Sequence, residues 1–239
     1  NVTNFYTDAT SRDNQVKLGK LLFTKDVLQH FKGGLDITLT MFVLHEVTHN
    51  LGPDNSYKIG DKLPREIFGG LTTTLEELKA QTGASHYLPF LVDQGVIPAD
   101  QIEDLYTANI YWCLNQISFR NLFTETGRPS AYAQVAAIQL GMLAEDEALY
   151  KVKTPDGWRL GIDYSKVPHS FERLMQTVGQ IKSRATTEEA VAGVQKFVGK
   201  YVGLTPQSPG PALDTKLFQE IRAKYMSVPK ESFVFAVKY

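Results

Sequence analysis

The chain has 239 residues, 25 Lys plus Arg against 26 Asp plus Glu, a formal net charge of −1 and 43% hydrophobic residues. That balance supplies neither a basic field for nucleic acid nor an acidic tail. No run approaches the roughly 18 apolar residues of a membrane span, and the single Cys113 rules out an internal disulfide framework or a multi-cysteine metal site.

Read in chain order, the pattern is mostly helical. The start, "NVTNFYTDAT", lacks an initiator Met and a signal-like apolar core, so we expect a processed product or a piece of a longer chain, cytoplasmic or periplasmic. A helix is expected from about Arg12 to Phe31, stopped by Gly33 and Gly34, and a second from about Asp36 to Leu51, stopped by Gly52 and Pro53. A loop follows to about Gly70. Thr73 with Glu76, and Thr74 with Glu77, have capping-box spacing and predict a helix start. Amphipathic stretches cover about Asp100 to Phe123 and Pro129 to Leu149. "YKVKTPDGWRLGIDY" alternates around a Pro-Asp-Gly turn and reads as a hairpin. Helices fit about Ser165 to Arg184 and Thr187 to Tyr201. "GLTPQSPGP" then reads as a linker, Asp214 to Met226 as a last helix and "VPKESFVFAVKY" as an extended tail. Strands are too few for a Rossmann sheet, and neither G-x-G-x-x-G nor a P-loop is present.

The second helix contains "FVLHEVTHNLGP". His45 and His49 are four residues apart, so their imidazoles leave the same helix face one turn apart. That spacing lets two ring nitrogens reach one Zn²⁺ at about 2.0–2.1 Å. Glu46 lies beside them, free to act on a water as general base; this is the H-E-x-x-H arrangement. Three fixed positions recur by chance, so context must decide. Ile37, Leu39, Met41, Phe42, Val43, Leu44, Val47 and Leu51 make the helix apolar almost all round, which predicts burial. Burying two imidazoles and a carboxylate without partners would cost several kcal/mol; a metal removes that difficulty.

A catalytic zinc site needs one more protein ligand. The metzincin pattern fits at Gly52 but fails at position 55, which is Asn rather than His. The gluzincin pattern places a Glu on a separate downstream helix. "TLEELKAQ" supplies Glu77, 28 residues after His49 (77 − 49). Glu76 and Glu77 differ by about 100° around that helix, so only one can face the metal. The bland role for this acidic pair is to favour a helix N-terminus.

"HEVTHNLGP" followed by "EELKAQTGA" resembles the dipeptidyl peptidase III family of zinc peptidases. The likeness is to its bacterial and plant branch, whose motifs read HE-x-x-H-x-LGP and EE-x-KAD; vertebrate members carry one more residue in the first. It runs from about Asp36 to the C-terminus, specific at the two motifs and carried elsewhere by helix order and "GIDYSKVPHSFERL". With the helical pattern, it implies a mostly α, gluzincin-like zinc-metallopeptidase lobe with one small β-hairpin and an extended C-terminal tail. Residues 1–239 would form a single mainly helical catalytic lobe, the C-terminal part of a two-lobed chain with its substrate cleft between the lobes. The implied partners are short peptides and the absent N-terminal lobe, and the implied activity is release of dipeptides from peptide N-termini.

Carried over by residue, the resemblance makes His45, His49 and Glu77 the ligands of one Zn²⁺ and Glu46 the base. Gln81 and Glu76 are the candidates for holding the ligating imidazoles. Two departures stand out. Family members have an acid where this chain has Gln81, and an amide leaves the imidazole it holds less basic. The family also carries a transition-state His in the segment after the long helix, whereas "FRNLFTETGRPSAYAQ" has none, nor does any position between His86 and His169. Arg120, Arg128 and Tyr57 are the candidate electrophiles instead.

The rival expectation is a non-catalytic, zinc-stabilised helical domain that binds a peptide or protein partner. Plant members of the family are fused to nudix hydrolases, but "REIFGG", Arg65 to Gly70, lacks the glutamates of a nudix helix. His30, His86 and His169 read as capping or core residues, Cys113 as an inert core thiol, and the stripe Tyr106, Tyr111, Trp112 and Phe119 as core packing.

Overall fold

A computed structural model describes residues 9–31, 35–53, 56–184, 186–210 and 216–226. Among them the chain is mostly helical: α1 Ala9–Leu22, α2 Lys25–Gln29, α3 Leu35–His49, α4 Pro64–Phe68, α5 Leu71–His86, α6 Leu88–Asp93, α7 Ile102–Phe119 and α8 Ala131–Glu145. An antiparallel hairpin follows, β1 Leu149–Thr154 with β2 Gly157–Ile162, and then α9 Val167–Lys182 and α10 Thr187–Tyr201. A second, shorter hairpin pairs β3 Gly203–Thr205 with β4 Ser208–Pro209, and α11 Lys216–Met226 closes the described chain. No helix of the described residues is long and apolar enough to cross a membrane.

The bundle is organised around α5. Helices α3, α8 and α9 all pack against it, and α7 closes the layer by packing on α3 and α8. This is why α5 is buried almost continuously from Thr74 to Ser85, although half of those positions are polar. Small residues set the spacing. A Cβ on Gly83 would lie 2.3 Å from Thr48 Cγ2, so α3 approaches α5 as closely as it does only because position 83 is Gly. Ala133, Ala136 and Ala137 of α8 are small and have no exposure.

Four departures from the sequence reading have local causes. The expected first helix breaks after Leu22, because Phe23 bridges Leu160 of β2 and the Thr24 amide donates to the Leu160 carbonyl; the Thr24 hydroxyl then caps α2. Helix α5 begins at Leu71, so neither Thr73 nor Thr74 is its N-cap; Thr74 instead donates to Gln134 of α8 at 2.9 Å. The expected linker forms the β3–β4 hairpin. Finally, α3 is buried on one side only. Met41, His45 and Thr48 face the bundle, while Leu39, Phe42, Val43, Val47 and Leu51 stay exposed, Val43 and Val47 each at 49%. Among the described residues α5 and α7 are the main elements that pack on this helix, and apolar composition cannot tell a covered face from an open one. The expected C-terminal tail lies outside the described residues.

Candidate metal centre

Helix α3 delivers His45 and His49 on its covered face, and α5 runs alongside with Glu76 next to Glu77 and Gln81 one turn beyond Glu77. His45 Nε2 and His49 Nε2 lie 3.2 Å from each other. Glu77 Oε2 stands 3.2 Å from the first and 3.8 Å from the second. Among the described residues these three side chains form a group able to hold a metal ion.

The hydrogen bonds behind the rings decide which nitrogens face inward. His45 Nδ1 is 2.8 Å from Gln81 Oε1, and His49 Nδ1 is 3.0 Å from Glu76 Oε1. Both partners are acceptors, so each Nδ1 carries the proton and each Nε2 presents a lone pair. Two lone pairs and a carboxylate oxygen then converge on one point, and Glu77 Oε2 is buried there without a hydrogen-bond donor. A cation is what such a cluster accommodates. Tetrahedral ligation at about 2.0–2.1 Å sets ligand atoms about 3.3 Å apart, close to the spacing of these atoms. The donor set therefore fits a zinc ion.

Each imidazole is anchored differently. Gln81 Nε2 donates to Asn109 Oδ1 at 2.6 Å, Asn109 Nδ2 donates to Gln139 Oε1 at 3.0 Å, and Gln139 Nε2 donates to Thr82 Oγ1 at 3.2 Å. This buried amide chain, all donating in one direction, fixes Gln81 with its oxygen toward His45. Cys113 Sγ joins at Gln139 Oε1, 3.2 Å away, and full burial pushes its thiol well above the ordinary range. His49 is backed by charge instead. Lys79 Nζ reaches Glu76 Oε1 at 2.9 Å and Lys182 Nζ reaches Oε2 at 2.5 Å. The same ammoniums clamp the end of α3: Lys79 donates to the His49 and Pro53 carbonyls, and Lys182 to Pro53. Burial pushes the Glu76 carboxyl up, but His49, Lys182 and Lys79 together pull it below its usual value. Burial likewise opposes charge on His45, yet Glu77, Gln81 and Glu46 outweigh it and hold the imidazole above its ordinary value. Glu76 is thus a buried bridge between His49 and two lysines rather than a surface acid at a helix start.

A cavity of about 380 Å³ opens beside the cluster, a size usual for small-ligand sites. His45, Glu46, Arg120 and Tyr132 form a polar side; Phe31, Met41, Tyr111 and Trp112 form an apolar one. Glu46 is exposed on α3 and faces this space. Of the three candidate electrophiles only Arg120 lines it. Arg128 sits in the loop before α8, and Tyr57 lies behind Glu76 rather than on the cavity wall, with Lys182 5.5 Å from its ring centroid. Burial, then Glu76, pushes the Tyr57 phenol up to about 12. Tyr132 was not among the sequence candidates. Burial raises its phenol first, followed by the nearby charges of Glu77 and Glu46.

The remaining single residues divide between core, cavity and, for His169, the exposed surface, where the expected capping or core role does not apply. His30 pairs with Glu103 at 3.0 Å and lines the cavity, His86 packs edge-on to Tyr87, and His169 is exposed. Tyr106 stacks on Phe171 in the core, while Trp112 meets the edge of Tyr132 at the cavity wall. Asn109, Gln139, Lys79 and Lys182 escaped the sequence reading. Their signal was a polar residue inside an apolar helix, as in "AAIQLGML", where burial demands a partner.

Comparison with solved structures supplies the fold's relatives. The chain superposes on dipeptidyl peptidase III from Caldithrix abyssi with a TM-score of 0.74 and 17% identity, covering 95% of this chain and 38% of that one. The fold is dipeptidyl peptidase III-like. Dipeptidyl-peptidase III from Corallococcus sp. strain EGB matches at 0.69 with 20% identity, over 90% of this chain and 35% of its own. The chain is also 23% identical over 164 residues to Nudix hydrolase 3 of Arabidopsis thaliana, which is 68% of this chain and 20% of that protein. No family model matches. The chain therefore spans between a fifth and two fifths of the length of these relatives.

Proposed function

We propose that this chain is the metal-bearing lobe of a zinc-dependent peptidase acting on short peptides, with His45, His49 and Glu77 as ligands and Glu46 as general base. The observation that carries the reading is the inward convergence of two Nε2 lone pairs on a buried, donorless Glu77 oxygen, with both Nδ1 protons tied back. The likeness to dipeptidyl peptidase III structures supports a peptidase fold around that cluster.

Bound there, zinc would supply Lewis acidity, making a water acidic near neutral pH and polarising a peptide carbonyl. Glu46, exposed to the cavity and one residue from His45, takes the water proton and returns it to the leaving amine. Gln81 and Glu76 hold the imidazoles in the required tautomer, and the cavity's apolar side receives substrate side chains. In this reading the open face of α3, from Leu39 to Leu51, is where the second lobe of a longer chain packs.

Zinc analysis with a fluorogenic dipeptide substrate tests the proposal. The wild type is expected to bind one zinc and hydrolyse substrate, Glu46→Gln to keep the zinc and lose turnover by at least about a hundredfold, and Glu77→Ala to lose zinc. Zinc without turnover in the wild type would support a non-catalytic, metal-stabilised binding domain. Undiminished turnover in Glu46→Gln would remove the assigned base.

A further inference from the structure

A carboxamide has one acceptor end and one donor end, so amides bonded head to tail form a row with a direction. Between α5, α7 and α8 such a row starts at the His45 ring and runs through Gln81 and Asn109 to Gln139, with contacts of 2.8, 2.6 and 3.0 Å. All three amides are buried, and Gln139 has no exposure. Turning one of them over sets like ends against each other, so the row reverses as a whole or not at all. In the observed direction Gln81 presents its oxygen, the His45 proton sits on Nδ1, and Nε2 keeps its lone pair. In the reversed direction Gln81 presents its NH2 group, the proton moves to Nε2, and the lone pair facing the cluster is lost. That state has an attraction of its own. The Nε2 proton would reach Glu77 Oε2, 3.2 Å away, which otherwise has no donor. The metal-competent direction therefore holds only if the far end of the row favours it.

That end is Gln139 of α8, and its surroundings are not symmetrical. Its Oε1 accepts from Asn109 Nδ2 and from the Cys113 thiol, 3.2 Å away, while its Nε2 donates to Thr82 Oγ1 at 3.2 Å. A hydroxyl donates or accepts, so Thr82 tolerates either direction. Cys113 does not. Reversal would turn an NH2 group on the fully buried thiol, leave the S–H proton without its acceptor and ask sulfur, a weak acceptor, to take an N–H. Resting on the reading of His45 as a metal ligand, we propose that Gln139 is a positioning residue for the metal centre. Held oxygen-first by Cys113, it sets the direction of the amide row and with it the tautomer of His45, three hydrogen bonds away. A carboxylate at position 81 could only accept and would need no such support. An amide can face either way, and the row supplies the bias that it lacks.

The test uses the whole 239-residue chain and two readouts, neither of which needs turnover. Zinc affinity is measured by chelator competition. The His45 tautomer is read by long-range proton–nitrogen correlation NMR on zinc-free protein, at a pH where the ring is neutral. The wild type is expected to carry its proton on Nδ1. Gln139→Leu removes the acceptor, so both tautomers should appear and zinc affinity should fall about tenfold, as the competent fraction shrinks and the ring loses its support. Gln139→Glu keeps an acceptor for Asn109 and should hold the Nδ1 proton, with zinc affinity within about twofold of wild type. Cys113→Ala should move both readouts as Gln139→Leu does but less far, and Cys113→Ser, which keeps a donor, should restore them. An Nε2 proton in the wild type would overturn the proposal. So would unchanged readouts in both Gln139→Leu and Cys113→Ala, or lost affinity with the tautomer unmoved, which is packing damage. If Gln139→Leu does not fold, Cys113→Ala against Cys113→Ser decides by the same criteria. A wild type that binds no zinc, with the tautomer still following Gln139 and Cys113, would remove the metal reading and keep the row's control of the ring.

Discussion

The two imidazoles of the cluster share one task and are held by chemically different partners. His49 leans on a carboxylate, Glu76, kept ionised by two buried lysines; His45 leans on a neutral amide. A carboxylate acceptor makes an imidazole the stronger donor to a metal, so His49 should bind more firmly and His45 should be the weaker grip. The amide compensates through orientation, because Asn109 and Gln139 leave it one direction to point. Gln81→Leu keeps the volume, strands the His45 Nδ1 proton and frees the ring to turn. Zinc affinity, measured by competition with a chromogenic chelator, should fall about 10–100-fold. Gln81→Glu, which restores an acceptor and adds charge, should bind at least as tightly as wild type. Equal affinity in wild type and Gln81→Leu would mean that packing alone orients the ring.

At the scale of elements, the site depends on how closely α3 lies against α5. The paired histidines come from one helix and follow from spacing alone, but the third donor arrives from a neighbour whose distance is set elsewhere. Gly83 stands against Thr48, between the two histidines in sequence, and allows the approach. Gly83→Ala puts a methyl carbon into Thr48, and relief requires the helices to part. Overpacking of this kind costs about 1–3 kcal/mol. Because the parting occurs beside the cluster, the variant should lose zinc affinity by more than its loss of melting temperature accounts for, read by the same chelator competition alongside thermal unfolding. A stability loss with full affinity would show that the helices separate away from the metal site. The break between α1 and α2 is the opposite case, since a strand bridge at Phe23 overrides a pattern that reads as one continuous helix.

For the whole molecule, a metal held at this cluster would be an addition to a fold that has its own core. One hydrophobic cluster runs from Leu22 through α5, α7, α8 and α9 to Tyr225 of α11, so the structure does not depend on the ion as a zinc finger does. Chelation should therefore leave the helical circular dichroism intact. It should lower the melting temperature by about 5–10 °C, the equivalent of about 2.7 kcal/mol at a hundredfold excess of zinc over Kd. Loss of helicity on chelation would move the site from catalytic to structural. The open apolar face of α3 belongs to this scale as well, since five apolar side chains from Leu39 to Leu51 stay exposed along it.

The sequence alone determined the elements governed by short range: the longer helices after Gly34, the β1–β2 hairpin around Pro155 and Asp156, and the placing of His45, Glu46 and His49 on one helix. Periodicity and turn chemistry act over a few residues and can be read without a partner. Everything that needed two elements was decided by packing. Glu77 at the paired Nε2 atoms with Glu76 behind His49, the lysine pair behind Glu76, the amide chain behind Gln81 and the arrival of Tyr132 at the cavity all depend on which face of one helix meets another. A helix carries its polar residues on every side, and only the neighbour that covers one side assigns them their roles.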